Sequence, residues 1–253
     1  MDLPTLSMGQ FDLVSNLFSL TIATMFASGI FFFLAQRQVA PAYRVGVIVS
    51  GIVVFIAGYH YYRIWESWGA AYALEAGNYV ATGTPFNEAY RYADWLITVP
   101  LLLVELVAVL GLAKMVAGPM LRNLTVASFA MILLGYPGEI SSIAGTRWLF
   151  WFLAMIPFLY ILYVLFVQLG KAIESESGEV ASLFKRARAV IAVSWWVYPI
   201  AFVLPMIGLS GAVGEVGLQV GYSIADLIAK AFYGVVIYQI AKAKSDADGY
   251  QPA

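Results

Sequence analysis

A bundle of seven membrane-spanning helices, an all-α membrane fold, is what this sequence predicts, on three observations. The 253 residues are 62% hydrophobic and 11% charged, with a mean hydropathy of +0.82, whereas soluble domains carry roughly a quarter charged residues. Seven apolar runs each approach or exceed the roughly 20 residues a helix needs to cross the hydrocarbon core. The runs are continuously apolar and lack the alternation of a membrane barrel, which leaves the helix as the structure that satisfies its own backbone in lipid.

The first run covers roughly residues 11–36. Its only preceding or internal charges are Asp2 and Asp12, so the chain start lacks the basic flank of a secretory leader. Arg37 and Arg44 separate it from the second run, roughly 43–65. A longer connection, roughly 66–88, contains "AGNYVATGTPFNE", whose β-branched residues around a Gly and Pro turn suit a short hairpin. The third run, roughly 89–114, holds "RYADWLITVPLLLVEL" at 91–106. Lys114 and Arg122 lead into the fourth, roughly 121–140. The fifth and sixth, roughly 146–170 and 183–207, are joined by a segment bearing Lys171, Lys185, Arg186 and Arg188. The seventh, roughly 215–242, ends at Lys242 and Lys244. These spans fill residues 1–253 as a single domain, with no room for a separate soluble one.

All those basic residues fall on one side. The other side holds Arg63 and Arg147 near helix ends and otherwise Glu66, Glu75, Glu88, Glu139 and Glu215. The positive-inside rule therefore predicts the N-terminus outside and the C-terminus in the cytoplasm. The net charge of −1 offers no basic stripe to nucleic acid. The absence of cysteine excludes disulfides and thiolate chemistry, and a single histidine, His60, excludes a multi-histidine metal site. No Gly-rich phosphate loop appears between a strand and a helix, and no Ser/His/Asp grouping appears outside the membrane.

Four ionisable residues lie well inside the runs: Asp94, Glu105, Asp226 and Lys230. Each costs about 3 kcal/mol at a helix centre on insertion scales. Arg91, Asp94, Thr98 and Glu105 follow at i, i+3, i+7 and i+14, which places them on one helix face. A rise of 1.5 Å per residue separates Asp94 from Glu105 by roughly 16 Å. Asp226 and Lys230 are one turn apart. Pattern alone leaves two readings open. Lys230 pairs structurally with Asp226 and Asp94 while Glu105 is a neutral packing residue, or the set is a proton or ion pathway through a helix bundle.

"RYADWLITVPLLLVEL" and "DLIAK" at 226–230 resemble the third and seventh helices of microbial rhodopsins, and "YILYVLF" at 160–166 and "WWVYP" at 195–199 resemble the fifth and sixth. The resemblance covers essentially the whole chain. It implies all-trans retinal bound to Lys230 as a protonated Schiff base, a lysine amine being the nucleophile that condenses with an aldehyde. Asp94 and Asp226 would be its counter-ions, with Asp94 the proton acceptor. Glu105 would return a proton from the cytoplasmic side, and its apolar neighbours Leu101, Leu102, Val104 and Leu106 favour a carboxyl that keeps its proton at rest. Arg91 would couple Asp94 to the exit. The set Asp94, Thr98, Glu105 resembles the acceptor, threonine and donor of the proteorhodopsin and xanthorhodopsin branches. Sodium pumps carry Asn-Asp-Gln there, and chloride pumps lack the acceptor carboxylate.

By the same resemblance His60 pairs with Asp94 and titrates with it as a unit, though a lone histidine on an apolar helix is more often a satisfied core residue. Tyr92, Trp95, Leu102, Met131, Gly135, Trp151, Phe158, Trp195, Tyr198 and Phe202 would line the retinal slot, where ordinary bundle packing is the competing reading. Leu102 implies green absorption. Carotenoid-carrying relatives have a glycine beside the retinal ring in the fifth span. Trp151 stands at that place, so a carotenoid antenna is not expected. The paired glutamates of the archaeal release group are not reproduced, since Leu218 occupies one position and only Glu215 is near. The implied function is a light-driven outward proton pump of a bacterial cytoplasmic membrane. It would be surrounded by lipid and assembled as a pentamer or hexamer, with no obligate transducer. A sensory rhodopsin, a light-gated channel and a transporter without chromophore are the rivals.

Overall fold

The computed structural model describes residues 3–112, 114–174, 176 and 178–252. Expectations that touch Asp2 and Ala113 lie outside these residues. Seven helices are long and apolar enough to cross a membrane: α1 (Met8–Gln38), α2 (Arg44–Ala71), α3 (Ala89–Leu110), α4 (Met115–Glu139), α5 (Ala144–Glu174), α6 (Gly178–Ile207) and α7 (Gly211–Ala247). The count matches the seven apolar runs. Most helices outlast their runs by several residues because the backbone goes on pairing with itself where the side chains turn polar. The third span is the exception. It stops at Leu110 rather than 114, because Gly111 takes a left-handed backbone (φ 69°) and closes the helix.

The expected hairpin is present as β2 (Tyr72–Glu75) and β3 (Asn78–Ala81), paired Tyr72 to Ala81 and Glu75 to Asn78. Ala76 and Gly77 turn it with φ of 48° and 85°, the pair of positive values a tight hairpin needs. An unanticipated strand, β1 (Leu6–Ser7), adds to β3 and makes a three-stranded antiparallel sheet of order β1-β3-β2. An aromatic cluster lies beneath it. Phe11 stacks on Tyr79 at 3.7 Å and on Trp68 at 5.7 Å, and Trp68 is fully buried. That packing explains why α2 continues past residue 65 to Ala71.

Within lipid no hydrophobic force draws helices together, so contact depends on close packing. Two glycines allow it next to the ionisable residues. A Cβ on Gly46 of α2 would meet Val109 Cγ1 at 2.4 Å and the Glu105 carbonyl at 3.1 Å. A Cβ on Gly234 of α7 would meet Phe32 at 2.6 Å and Ser50 Cβ at 3.2 Å. The bundle's outward faces expose large apolar side chains such as Leu34, Ile156 and Val193.

At the end of the bundle opposite the sheet, the C-terminal segment fastens to the α1–α2 connection. Ser245 Oγ accepts from the Ala40 amide at 2.8 Å, Tyr43 donates to Asp248 at 2.8 Å, and Arg44 donates to the Tyr250 hydroxyl at 2.9 Å. Burial, then Asp248, push the Tyr43 phenol up to about 12. Lys244 donates to the Leu110 carbonyl at 3.0 Å and to Glu176 at 2.6 Å, closing the open end of α3.

Candidate functional site

The α3 face predicted from spacing points inward along its length: Arg91 and Asp94 are 2% exposed, Thr98 and Glu105 0%. Facing it, α7 winds as a π-helix over Leu227–Phe232, and Lys230 sits in this stretch. Such wide turns recur at functional sites. Lys230 Nζ forms ion pairs with Asp226 Oδ1 at 2.8 Å and with Asp94 Oδ2. All three groups are buried, so each charge depends on the others for compensation.

The two carboxylates are not equivalent. Asp226 accepts from Tyr198 at 2.7 Å on Oδ1 and from Tyr61 at 2.7 Å on Oδ2, so both its oxygens are engaged. Asp94 holds Lys230 with one oxygen, while its Oδ1 has no hydrogen-bond partner among the described residues. His60 Nδ1 lies 3.9 Å from that oxygen, beyond hydrogen-bond reach, and 3.0 Å from the Ile56 carbonyl. His60 thus approaches Asp94 without bonding to it. Thr98 does not bond the Asp94 carboxylate either; its hydroxyl donates to the Asp94 backbone carbonyl at 2.9 Å.

Arg91 turns away from the lysine toward the sheet end. It pairs with Glu88 at 3.0 Å, donates to Gln219 Oε1, and reaches the Tyr61 hydroxyl at 3.4 Å. Its link to the Asp226 carboxylate therefore runs through Tyr61. Gln219 spends its amide hydrogens on Glu88 at 2.6 Å and Glu215 at 2.9 Å. Glu215, the one acid flagged near the missing release pair, is thus joined to Glu88. Glu88, Gln219 and Tyr61 carry no ionisable-in-lipid signal in the sequence. Only the i, i+3 spacing of Glu88 and Arg91 and the i, i+4 spacing of Glu215 and Gln219 hinted at them.

Lys230 also lines a cavity bounded by all ten residues expected around the slot: Tyr92, Trp95, Leu102, Met131, Gly135, Trp151, Phe158, Trp195, Tyr198 and Phe202. About 110 Å³ of it is open to the centre of a water molecule. Val99, Ile132, Ala154, Met155, Pro199, Tyr222 and Ala229 complete the wall and were not anticipated from the sequence. Trp95 packs edge-on against Tyr198 and Tyr222 at 5.0 and 5.5 Å. Trp151 is pinned by a 2.9 Å bond from its indole N–H to the Pro199 carbonyl.

Glu105 lies toward the other end of α3. Ser50 faces it from α2, yet the Ser50 hydroxyl donates to the Gly46 carbonyl at 3.2 Å. Both carboxyl oxygens of Glu105 are without partner among the described residues. No cluster of three or more metal-ligating side chains occurs among them either.

The sequence model described as bacteriorhodopsin-like protein matches residues 12–244, and the chain belongs to that family, the microbial rhodopsins. Within it, this chain is xanthorhodopsin- and proteorhodopsin-like. It is 55% identical to xanthorhodopsin, described with its structure as a light-driven ion pump with dual chromophore, at a TM-score of 0.94 over 99% of this chain and 100% of that one. A thermophilic rhodopsin is 52% identical, with a TM-score of 0.94 over 98% and 100%. The green-light absorbing proteorhodopsin of Gamma-proteobacterium EBAC31A08 is 30% identical over 96% of this chain and 94% of its own length. The chain is accordingly a multi-pass membrane protein.

Proposed function

We propose that this protein is a retinal-bearing, light-driven outward proton pump of a bacterial cytoplasmic membrane, with its N-terminus outside. One observation carries the reading. A buried lysine joins two unequally satisfied carboxylates at the wall of an aromatic cavity, and a buried glutamate without a hydrogen-bond partner among the described residues follows on the same α3 face. Relatives named as light-driven pumps support it.

The residues present fit retinal. The cavity is apolar and aromatic, Lys230 lines it, and a Cβ on Gly135 would already touch the Tyr92 ring at 3.6 Å, so glycine keeps that wall flat. Retinal condensed with Lys230 Nζ supplies the light-driven isomerisation. The chain's own residues do the rest. Asp226, fixed by two phenols, stays a stationary counter-charge. Asp94, with an oxygen to spare, takes the proton from Lys230 Nζ, and His60 at 3.9 Å stands ready to close on the oxygen so loaded. Arg91, Glu88, Gln219 and Glu215 form the polar route to the sheet end. Glu105 holds a proton in a dry setting and returns one to Nζ, and Lys244 with Glu176 covers its approach from the other side. Trp151, pinned to Pro199, fills the wall where an antenna carotenoid would lean on the chromophore, so a single chromophore belongs to this reading. Homo-oligomeric assembly and independence from a transducer rest on resemblance alone.

The test is the pH of an unbuffered suspension of cells expressing the protein with added retinal, under green light. Acidification that a protonophore abolishes is the expected result. No change in pigmented cells would favour a sensor, and alkalinisation enhanced by the protonophore would mean that another ion is moved. Either result overturns the proposal.

A further inference from the structure

Between Lys230 and Glu105 stands a phenol that no step above uses. Tyr233 lies three residues past Lys230 on α7 and is 0% exposed. Its hydroxyl reaches across to α3, where it donates to the Leu102 carbonyl at 3.4 Å. Leu102 walls the cavity on one side and precedes Glu105 by three residues on the other. Because α3 and α7 are both odd-numbered spans, they run in the same direction. One turn beyond Lys230 and one turn short of Glu105 are therefore neighbouring levels, each step about 4.5 Å along the axis. The 3.4 Å bond lies outside the usual range. The hydroxyl therefore keeps capacity for a second, shorter partner, as donor or acceptor.

A phenylalanine would fill this space equally well. The ring of Tyr233 needs no hydroxyl to pack, and burying one with a single long bond is a net cost. Resting on the pump reading above, we propose that Tyr233 is a positioning residue for the return of the proton. Its hydroxyl orients the path, through a chain of bridging waters, from the Glu105 carboxyl to Lys230 Nζ. In that step the carboxyl loses one proton and Nζ gains one. Each water passes on a proton for each it receives, and the phenol ends with its O–H intact.

The experiment is flash photolysis of the retinal-loaded protein as wild type, Y233F, E105Q and the double variant. The readout is the decay of the transient blue-shifted absorbance that marks loss of the Nζ proton. Y233F should keep the visible band and slow the decay by about tenfold, less than the loss of a general acid outright. In the double variant Y233F should add nothing to E105Q, since a residue acting through Glu105 has no separate effect once Glu105 is gone. Unchanged decay in Y233F overturns the proposal, and so does full additivity in the double variant. In both cases a slowed E105Q leaves the pump reading standing. Absence of the transient in wild type would remove both.

Discussion

Glu105→Gln separates a proton donor from a packing residue. In the folded protein both Glu105 oxygens lack partners among the described residues, and the side chain is fully buried. The amide is nearly isosteric but brings one more unsatisfied donor than a neutral acid, costing about 1–3 kcal/mol of stability. The bundle should therefore still form and bind retinal with its colour nearly unchanged. Kinetics should respond far more. Asp94 contacts Lys230 Nζ, and Glu105 lies roughly 16 Å farther along α3, so on the proposed reading the glutamate is an internal proton source reached through a relay. Without it the proton must come from solution past buried Leu106, Val109 and Leu110. Losing a general acid costs about 10²–10⁴ in rate, or about 3–5 kcal/mol on the barrier. The slowed step should also acquire a pH dependence that wild type lacks, falling about tenfold per pH unit as free protons become scarcer. Flash photolysis at a series of pH values measures both. A decay as fast as wild type and flat with pH would refute the donor assignment.

Lys230→Ala should abolish the visible band on addition of retinal. It should also lower thermal stability, because two buried carboxylates lose their cation at a cost of about 3–5 kcal/mol; a persisting native spectrum would sink the attachment site. Gly46→Ala should destabilise by about 1–3 kcal/mol, since its Cβ would lie 2.4 Å from Val109 Cγ1 and press on the Glu105 backbone. An unaltered melting temperature would show that α2 and α3 separate there without cost. Tyr43 supplies a pH test outside the membrane. Its phenol is raised from the ordinary 10.0 to about 12 in the folded state, first by burial and then by Asp248. The unfolded chain ionises first, so this contribution is intact below pH 10 and is lost as pH rises through about 12. Melting curves across that window should show the loss in wild type and a smaller one in Tyr43→Phe.

Spacing along single helices was the legible part of this molecule. The 3.6-residue period alone put Arg91, Asp94, Thr98 and Glu105 on one buried face, and one turn separated Asp226 from Lys230. Contacts made between helices were much less so. Tyr61 and Tyr198, which distinguish Asp226 from Asp94, come from two other spans; Tyr61 looks like an ordinary bundle aromatic in the sequence, and Tyr198 is expected there only as a wall of the slot, not as a donor to Asp226. Glu88 and Gln219 sit near span ends, where polar residues need no explanation. Side-chain direction was equally hidden. Thr98 has the expected position but turns its hydroxyl back to its own helix, a choice open to any helical threonine. β1 escaped notice because two residues carry no alternation, and the extension of α2 depended on Trp68 finding Phe11.

The fastening of the C-terminal segment to the α1–α2 connection bears on biosynthesis. Ser245, Asp248 and Tyr250 reach partners some 205 residues earlier in the chain. During synthesis α1 and α2 wait in the bilayer with Ala40, Tyr43 and Arg44 unclasped until residues 245–250 have left the ribosome. Lys230 and Asp226 arrive with the same helix, α7. Six spans can thus be inserted, oriented and even paired before the lysine that would carry retinal on the proposed reading exists, and removal of residues 242–253 should be felt as slow maturation of pigment by a chain whose cavity residues are all present.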